Sequence, residues 1–379
     1  MKLVVNLKLQ PNAGQQRALR DTLERCNKAC NWLSGMTFES ETFGQYALHK
    51  AHYYAMREKF GLTAQAAVRC IAKVADAYKL KNRRETKREF RKWAAQPFDD
   101  RILRFGKGDT INLWTLAGRQ KIPFICGEHQ RALLEHRKGE ADLMFVRGKW
   151  YIACVCDFDD PKLLTPSGVL GVDFGIVHIA TGSDGSQFSG AGVEASRARH
   201  VARRATLQRV GTRAARRRLK INSGKQSRYQ KHVNHCISKQ IVLAAKRSNL
   251  AVGLEDLKHI RERVKATKEQ RKRLHNWSFG QLRSFVEYKA KKYGVPVVIV
   301  NPAYTSQECP KCGHVDKRNR PKQELFRCVA CGHSANADAA AACNIAGRGV
   351  VTHPMFAHRS VLGAVESLAL GRGTVTSSS

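Results

Sequence analysis

The alternation of Leu3, Val5, Leu7 and Leu9 with polar or exposed-type positions predicts a strand at the start of the chain. Pro11-Asn12 marks a turn. Leu19, Leu23, Cys26, Cys30 and Leu33 then recur at spacings of 4, 3, 4 and 3, the repeat of one helix face. Ala67, Ile71, Val74 and Tyr78 repeat that spacing. The continuation from Lys79 to Trp93 is dense in Lys and Arg, which predicts a helix with one packing face and one positive face. From Pro97 the period changes to two. Strands are predicted over 102–105, 110–115 and 121–125, and a hairpin joins Leu143–Val146 to Trp150–Cys156 through Gly148. A helical insert therefore sits inside a mostly β region made of residues 1–10 and 97–160, and Asp157 to Ser167, with Pro161 and Pro166, reads as a linker.

The second half reads as α/β. Val169 to Thr181 forms an apolar strand pair bent at Gly175. Arg197 to Lys231 is a long basic helical stretch broken near Asn222-Ser223-Gly224, and the runs 241–245 and 250–254 return to the core. Phe279 to Tyr293 reads as a helix, Val295 to Val300 as a buried strand, and an alanine-rich helix follows a cysteine cluster. The tail after Gly349 reads as loose. The chain shows no internal repeat, no signal peptide and no apolar run approaching the ~18 residues of a membrane span.

Charge narrows the partners. The chain has 67 Lys and Arg against 31 Asp and Glu, a formal net charge of +36. Such an excess points to a polyanion, because Lys and Arg gain affinity by releasing counterions condensed on phosphates. Arg203, Arg204, Arg213, Arg216, Arg217, Arg218 and Lys220 recur along one helical region with few acids to offset them, and they are the candidate nucleic-acid contacts. Lys79 to Lys92 could grip the same ligand. Trp32, Trp93, Trp114 and Trp150 read as core residues, and Tyr304 as either core or contact.

Of 12 cysteines, Cys309, Cys312, Cys328 and Cys331 form two C-x-x-C pairs 15 residues apart, the spacing of a zinc ribbon. Four thiolates close a tetrahedron and leave no open position, which makes the implied zinc structural rather than catalytic. Gly313 and Gly332 follow the pairs and permit the turns. His333, beside one knuckle, reads as a turn-capping residue because four cysteines already fill the site; His314 and His353 are the other nearby histidines. The other cysteines fall mostly in apolar patterns and read as free, buried thiols of a reducing cytoplasm.

Three acids stand where apolar runs begin or end: Asp173 in Leu170-Gly-Val-Asp-Phe-Gly175, Glu255 closing Val252-Gly-Leu-Glu255, and Asp338 opening the alanine-rich helix. A carboxylate in an apolar strand must be paired or bind a cation. The three are far apart in sequence, and a turn or ion-paired residue is the other reading of each. If they converge, they make a hard-oxygen site for Mg²⁺, two ions of which serve phosphodiester chemistry.

The stretch from Trp277 to Ile345 resembles the signature of the TnpB family, transposon-encoded relatives of the type V CRISPR effectors. The matching residues are Trp277, Gln281-Leu-Arg283, Tyr288-Lys-Ala290, Gly294, Asn301-Pro-Ala-Tyr-Thr-Ser-Gln307, the four cysteines, Gly332-His333 and Asn344-Ile345. The family's first acid has a Gly-Val-Asp-x-Gly context, its second a Gly-x-Glu-x-Leu context, and its third follows the ribbon; Asp173, Glu255 and Asp338 match these places. Two neighbours depart from the family pattern: Asn336 replaces a usual aspartate and Ala340 a usual asparagine.

The resemblance implies an RNase H-like (RuvC) nuclease domain over 161–304 and 335–349, with a zinc ribbon over 305–334. A β-barrel-like wedge domain over 1–10 and 97–160 precedes it and carries a helical recognition insert over 11–96; 350–379 is the loose tail. It also implies an RNA-guided DNA endonuclease, using a guide RNA from the transposon end, two Mg²⁺ ions and double-stranded target DNA beside a short motif, in a bacterial or archaeal cytoplasm near the nucleoid. A nuclease-derived RNA-guided repressor, a compact CRISPR effector and a strand-transferring transposase are the alternative readings.

Overall fold

The computed structural model describes residues 1–257 and 279–352. The family-signature residue Trp277, His353 and most of the C-terminal tail lie outside the described residues. The chain divides into two compact units, Met1–Asp159 and Asp160 onward, each with its own core.

The first unit is built on seven strands: β1 (Lys2–Leu9), β2 (Gln96–Phe98), β3 (Leu103–Phe105), β4 (Thr110–Thr115), β5 (Gly118–Ile125), β6 (Arg137–Val146) and β7 (Lys149–Asp157). Their order in the sheet is β2-β6-β7-β1-β5-β4-β3. The two edge strands are thus consecutive in sequence and joined by only residues 99–102, so the sheet must curl until its edges nearly meet. Asp99 holds that corner by accepting from the backbone N–H of Ile102 and Leu103 at 3.1 and 2.8 Å. Arg137 on β6 reaches Asp100 at 2.8 Å and lies 4.7 Å from the Phe105 ring on β3. The period-two residues Val5, Leu7, Leu9, Ile111, Leu113 and Ile152 fill the interior. The β6–β7 hairpin closes through Arg147 and Gly148 at φ of 52° and 78°, the left-handed pair that suits strand twist. A short helix, α4 (Glu128–Leu134), separates β5 from β6.

The insert contributes α1 (Ala13–Glu39), α2 (Gln45–Phe60) and α3 (Ala64–Ala77). Asn12 and Gln15 exchange side-chain-to-backbone bonds of 2.9 and 3.0 Å and cap α1. Leu19 and Leu23 pack on the sheet, while Cys26, Cys30 and Leu33 pack against α2 and α3. The pattern predicted that α3 would continue through the basic run to Trp93, but the helix stops at Ala77 and residues 84–95 are irregular apart from a turn. The reason lies on α1. Asn27, Asn31 and Ser34 form a polar stripe at helical spacing, and they bond the backbone of Ala94, Phe90 and Arg88 at 3.0, 2.9 and 2.6 Å. These bonds satisfy an extended chain that carries no apolar face of its own. Trp150 is buried and Trp32 and Trp114 are partly so, but Trp93 is 40% exposed beneath Arg20 and Lys92 rather than in the core. Cys26, Cys30, Cys70, Cys154 and Cys156 are buried as expected; Cys236 and Cys343 are exposed.

The second unit holds a mixed five-stranded sheet: β8 (Gly168–Asp173), β9 (His178–Gly182), β10 (Gln187–Ser189), β11 (Leu250–Glu255) and β12 (Val297–Val300), in the order β10-β9-β8-β11-β12. β8, β11 and β12 run parallel. The basic stretch forms three helices, not two: α5 (Ala191–Val210), α6 (Arg213–Asn222) and α7 (Lys225–Arg247), because Gly211 breaks it as well as Gly224. α8 (Phe279–Tyr293) follows the undescribed residues, and β13 (Leu325–Arg327), β14 (Ser334–Asn336) and α9 (Ala337–Thr352) complete the unit. The strand expected over 295–300 is an outer one, with Ile299 exposed.

Alternation along the strands sorts the sheet's two faces. Leu170, Val172, Val252 and Leu254 meet Ile237 and Ile241 of α7 and Leu282 and Val286 of α8. Val169, Ala251, Val298 and Val300 meet Ile345 of α9. On the α9 side the approach is closer than a side chain allows: a Cβ at Gly171 would lie 2.1 Å from Ala342 O and 2.5 Å from Ala346 N. Gly171→Ala is therefore expected to destabilise this unit by about 3 kcal/mol. Gly347→Ala, on the exposed side of α9 with nothing within 4 Å, is expected to stabilise it by about 0.5–1 kcal/mol. Chemical denaturation of the two variants checks the contrast, and a neutral Gly171→Ala would refute the close approach.

Candidate active site and metal centre

The parity that seats Gly171 and Gly253 against α9 also points Asp173 and Glu255 to that face. Val172 pairs with Leu254 on the parallel strands β8 and β11, so Asp173 and Glu255 are the next residues, side by side where these strands end. α9 runs antiparallel to β8. Gly349 lies against Val169 and the Ala342–Ala346 turn against Gly171, which brings the start of α9 to the end of β8. A Cβ on Gly175 would sit 3.9 Å from Asp338 Oδ2. The structure thus brings Asp173, Glu255 and Asp338 to one end of the sheet.

Their electrostatics record that meeting. Burial first, and then the charges of Glu255 and Asp338, push the Asp173 carboxyl up to about 7 against the opposing charge of Arg320. Burial also raises Glu255, while a hydrogen bond from Thr305 and the nearby Arg348 charge lower it. Arg320 donates to Asp338 Oδ1 at 3.4 Å and to Gln323 O at 2.7 Å. Three carboxylates, offset only by Arg320 beside Asp338 and Arg348 near Glu255, leave an excess of negative charge, the donor set of a hard divalent cation.

Several residues that support these acids carry no signal in hydropathy or charge pattern. Thr305 is 4% exposed and its hydroxyl donates to Glu255 Oε1. Its loop, residues 301–308, is tied to α9 by two side chains one turn apart. Asn344 Nδ2 donates to Thr305 O at 2.8 Å and Glu308 O at 2.7 Å. Arg348 donates to Asn301 O at 2.9 Å, to Ala303 O at 2.6 Å and to Glu308. Asn336 accepts from the backbone N–H of Asp338 and Ala339 at 3.0 and 3.1 Å, so it is the N-cap of α9. Asparagine caps as well as aspartate, and it does so without adding a fourth negative charge beside Asp338. Ala340 is buried in the small core formed by Cys309, Phe326, Cys328 and Ala337.

The four cysteines are gathered more tightly than the acids. Their Sγ atoms all lie within 4.8 Å of one another, the one such group of ligand atoms among the described residues. The Cys309–Cys331 and Cys312–Cys328 separations are both 3.6 Å. That is far beyond a disulfide, and close to the edge of about 3.8 Å that a tetrahedron has when zinc–sulfur bonds are about 2.3 Å. The cluster fits a zinc ion. The backbone of both knuckles is closed by Cys309 N–H to His314 O and Cys328 N–H to His333 O, at 2.9 and 2.8 Å. His314 is instead 3.9 Å from Asp316, and His333 lies tilted beside the Phe326 ring at 6.4 Å. Tyr304 is 62% exposed, at a positive φ of 63°.

The seven basic residues are all exposed, and none forms an ion pair among the described residues. Arg203 and Arg204 of α5 and Lys220 of α6 line one cleft of about 490 Å³. Arg213, Arg216 and Arg217 share a helix face with Lys220, whereas Arg218 projects to the other side of α6 by its position in the helical repeat. Among the described residues no helix is long and apolar enough to cross a membrane.

Because Ala337 and Ala340 of α9 share a core with Cys309 and Cys328, losing the metal should loosen the start of α9. About one zinc per chain is expected by elemental analysis, and Cys312→Ser is expected to lower both zinc content and the melting temperature. A fully active chain with no bound zinc would contradict this.

Residues 279–345 match the Cas12f1-like TNB domain family. The CRISPR-associated endodeoxyribonuclease Cas12f1 of Sulfoacidibacillus thermotolerans is 31% identical over 218 residues, covering 53% of this chain and 50% of that protein. The TnpB-like protein MJ0751 of Methanocaldococcus jannaschii is 40% identical over 124 residues, 32% of this chain and 44% of that protein. The putative RNA-guided DNA endonuclease InsQ of Escherichia coli K12 is 30% identical over 223 residues, 53% of this chain and 54% of that protein. The chain spans about half the length of the curated relatives it matches. With the acid contexts, the cysteine ribbon and these likenesses together, the chain belongs to the TnpB family.

Proposed function

We propose that this protein is an RNA-guided DNA endonuclease that hydrolyses phosphodiesters of double-stranded target DNA at a single site made by Asp173, Glu255 and Asp338. The observation that carries the reading is the convergence of these three carboxylates, with Asp173 held near neutrality in its acidity by burial and by the other two. The relatives named as RNA-guided or CRISPR-associated endonucleases support the reaction class. In this reading the mixed sheet with α9 is an RNase H-like (RuvC) nuclease domain, interrupted by the ribbon. The nearly closed barrel is a wedge domain and α1–α3 are its recognition insert, in a chain that works in the cytoplasm of a bacterial or archaeal cell.

Asp173, Glu255 and Asp338 would hold the divalent ions. Mg²⁺ bound there would supply activation of a water and neutralisation of the leaving oxygen. The protein's own part is to hold the three carboxylates apart from bulk water and in fixed orientation. Thr305 orients Glu255, the Asn336 cap orients the first turn of α9 and with it Asp338, and strand β8 fixes Asp173. Arg320 balances charge at Asp338. The exposed cations of α5 and α6 hold nucleic-acid backbone while guide pairing reads sequence, the division of labour of RNA-guided enzymes.

Asp173→Ala, Glu255→Ala and Asp338→Ala are each expected to abolish plasmid cleavage while guide and target binding persist, as measured by filter binding. Changing the guide segment of the RNA should move the cut, and chelating magnesium should stop it. Cleavage that ignores the RNA would leave only a metal nuclease. Binding at each new site without breaks in any metal would instead identify a repressor.

The orienting bond makes a separate prediction. Thr305→Val keeps the shape and removes the donor, and should weaken Mn²⁺ binding and cleavage by about 10- to 100-fold. Thr305→Ser should restore both. Titration of the ion, followed by electron paramagnetic resonance, reads the effect independently of turnover.

A further inference from the structure

The outer face of α2 carries the two most exposed aromatic residues among the described residues. The helix buries only Leu48 and Met56 of its 16 residues. On the opposite side, Tyr46, Lys50, Tyr54 and Arg57 follow one another at positions i, i+4, i+8 and i+11, a single stripe in the helical repeat, with the half-buried Tyr53 at its edge against the helical core. Tyr46 and Tyr54 are 82% and 78% exposed. Tyr46 makes no hydrogen bond or ring contact among the described residues. The remaining rings are already stacked on one another. His49 lies parallel to Tyr53 at 4.5 Å, Tyr54 meets Tyr53 edge-on at 5.1 Å, and Arg57 sits over Tyr53 at 5.5 Å.

Exposed aromatic rings gain nothing from water, and a helix needs none on its solvent face. Glu58 is the only acid on α2, against Lys50, Arg57 and Lys59, so the stripe is positive as well as aromatic. A protein partner would be met by apolar side chains without such an excess of cations. A duplex buries its base faces and would use the cations alone. Aromatic faces alternating with cations instead match the two parts of an unpaired strand, whose bases expose π-faces and whose phosphates carry charge.

We infer that the α2 stripe is a binding surface for unpaired nucleotides, with Tyr46 and Tyr54 as stacking platforms and Lys50 and Arg57 on the phosphates. This goes beyond the proposed cleavage reaction and does not depend on the three acids, since the surface requires only that a single strand, RNA or DNA, reach the insert.

The test uses the full chain without added magnesium, so failure of the nuclease reading leaves it intact. Single-stranded 12-nucleotide RNA and DNA carrying 5-iodouracil are irradiated with the protein, and crosslinked residues are mapped by mass spectrometry. Crosslinks at Tyr46 or Tyr54 are expected in at least one of the two arms, and that arm identifies the kind of strand. Crosslinks confined to other parts of the chain in both arms overturn the inference. By fluorescence anisotropy with the same strand, Tyr46→Ala with Tyr54→Ala should weaken binding by about 10-fold or more, and a blunt duplex should bind unchanged. Tyr46→Phe with Tyr54→Phe should retain single-strand binding, because the ring rather than the hydroxyl stacks. Equal losses on duplex and single strand, or a phenylalanine variant as weak as the alanine one, reject stacking.

Discussion

The contact on which the second unit depends is the seating of α9 against bare backbone. Gly171 has no room for a methyl group, since Ala342 O would be 2.1 Å from it, and a Cβ at Gly253 or Gly349 would crowd the Val169 side chain at 2.8 and 2.9 Å. A helix that crosses a strand at that distance has little freedom to slide or rotate. Its first turn is therefore held at the end of β8, and the Asp338 carboxylate with it. The same helix reaches the other way through Asn344 and Arg348 to hold the loop that carries Thr305. One packed element thus sets the position of one acid directly and of a second through two hydrogen-bonded side chains.

Gathering and burying three carboxylates has an electrostatic cost: burial raises both Asp173 and Glu255, and the other two acids raise Asp173 further. Two features of the surroundings limit it. Arg320, from the ribbon, stands beside Asp338, and the N-cap of α9 is the neutral Asn336 rather than another acid. The departure at Ala340 has a packing reason as well, since that position lies in the core shared with Cys309 and Cys328 and has no room for a polar side chain without a partner. Both departures from the family pattern are thus compatible with an intact acid cluster. The ribbon is more than an appendage, because its cysteine core and its arginine both touch the start of the helix that bears Asp338.

Most of the fold could be read along the chain because its signals are local. Period two over β1 and β4, the apolar run of β8, period 3.6 over α1 and α3, and the turn at Arg147-Gly148 depend on neighbours within a few residues. The cysteine ribbon is local in the same sense, as each knuckle needs only its own C-x-x-C pair and glycine. The misreadings share the opposite cause. The basic run after Tyr78 has helix-forming composition, yet it lies extended because Asn27, Asn31 and Ser34, more than 50 residues earlier in sequence, take its backbone hydrogen bonds. Trp93 has the residue type of a core position, but it stands on that irregular segment and is exposed.

The sequence by itself determined the identity of the candidate groups: three acids where apolar runs end or begin, four thiols with zinc spacing, and an excess of cations. Only the tertiary structure decided that Asp173 and Glu255 share the sheet face that α9 covers, that Asp338 arrives there, and that Thr305, Asn344, Arg348 and Arg320 complete the surroundings. Pattern within a segment reports which side of an element is apolar. Which element lies opposite, and at what distance, depends on chain segments about 170 to 180 residues apart, such as Gly171 with Ala342 and Val169 with Gly349, whose meeting is governed by packing rather than by any local preference.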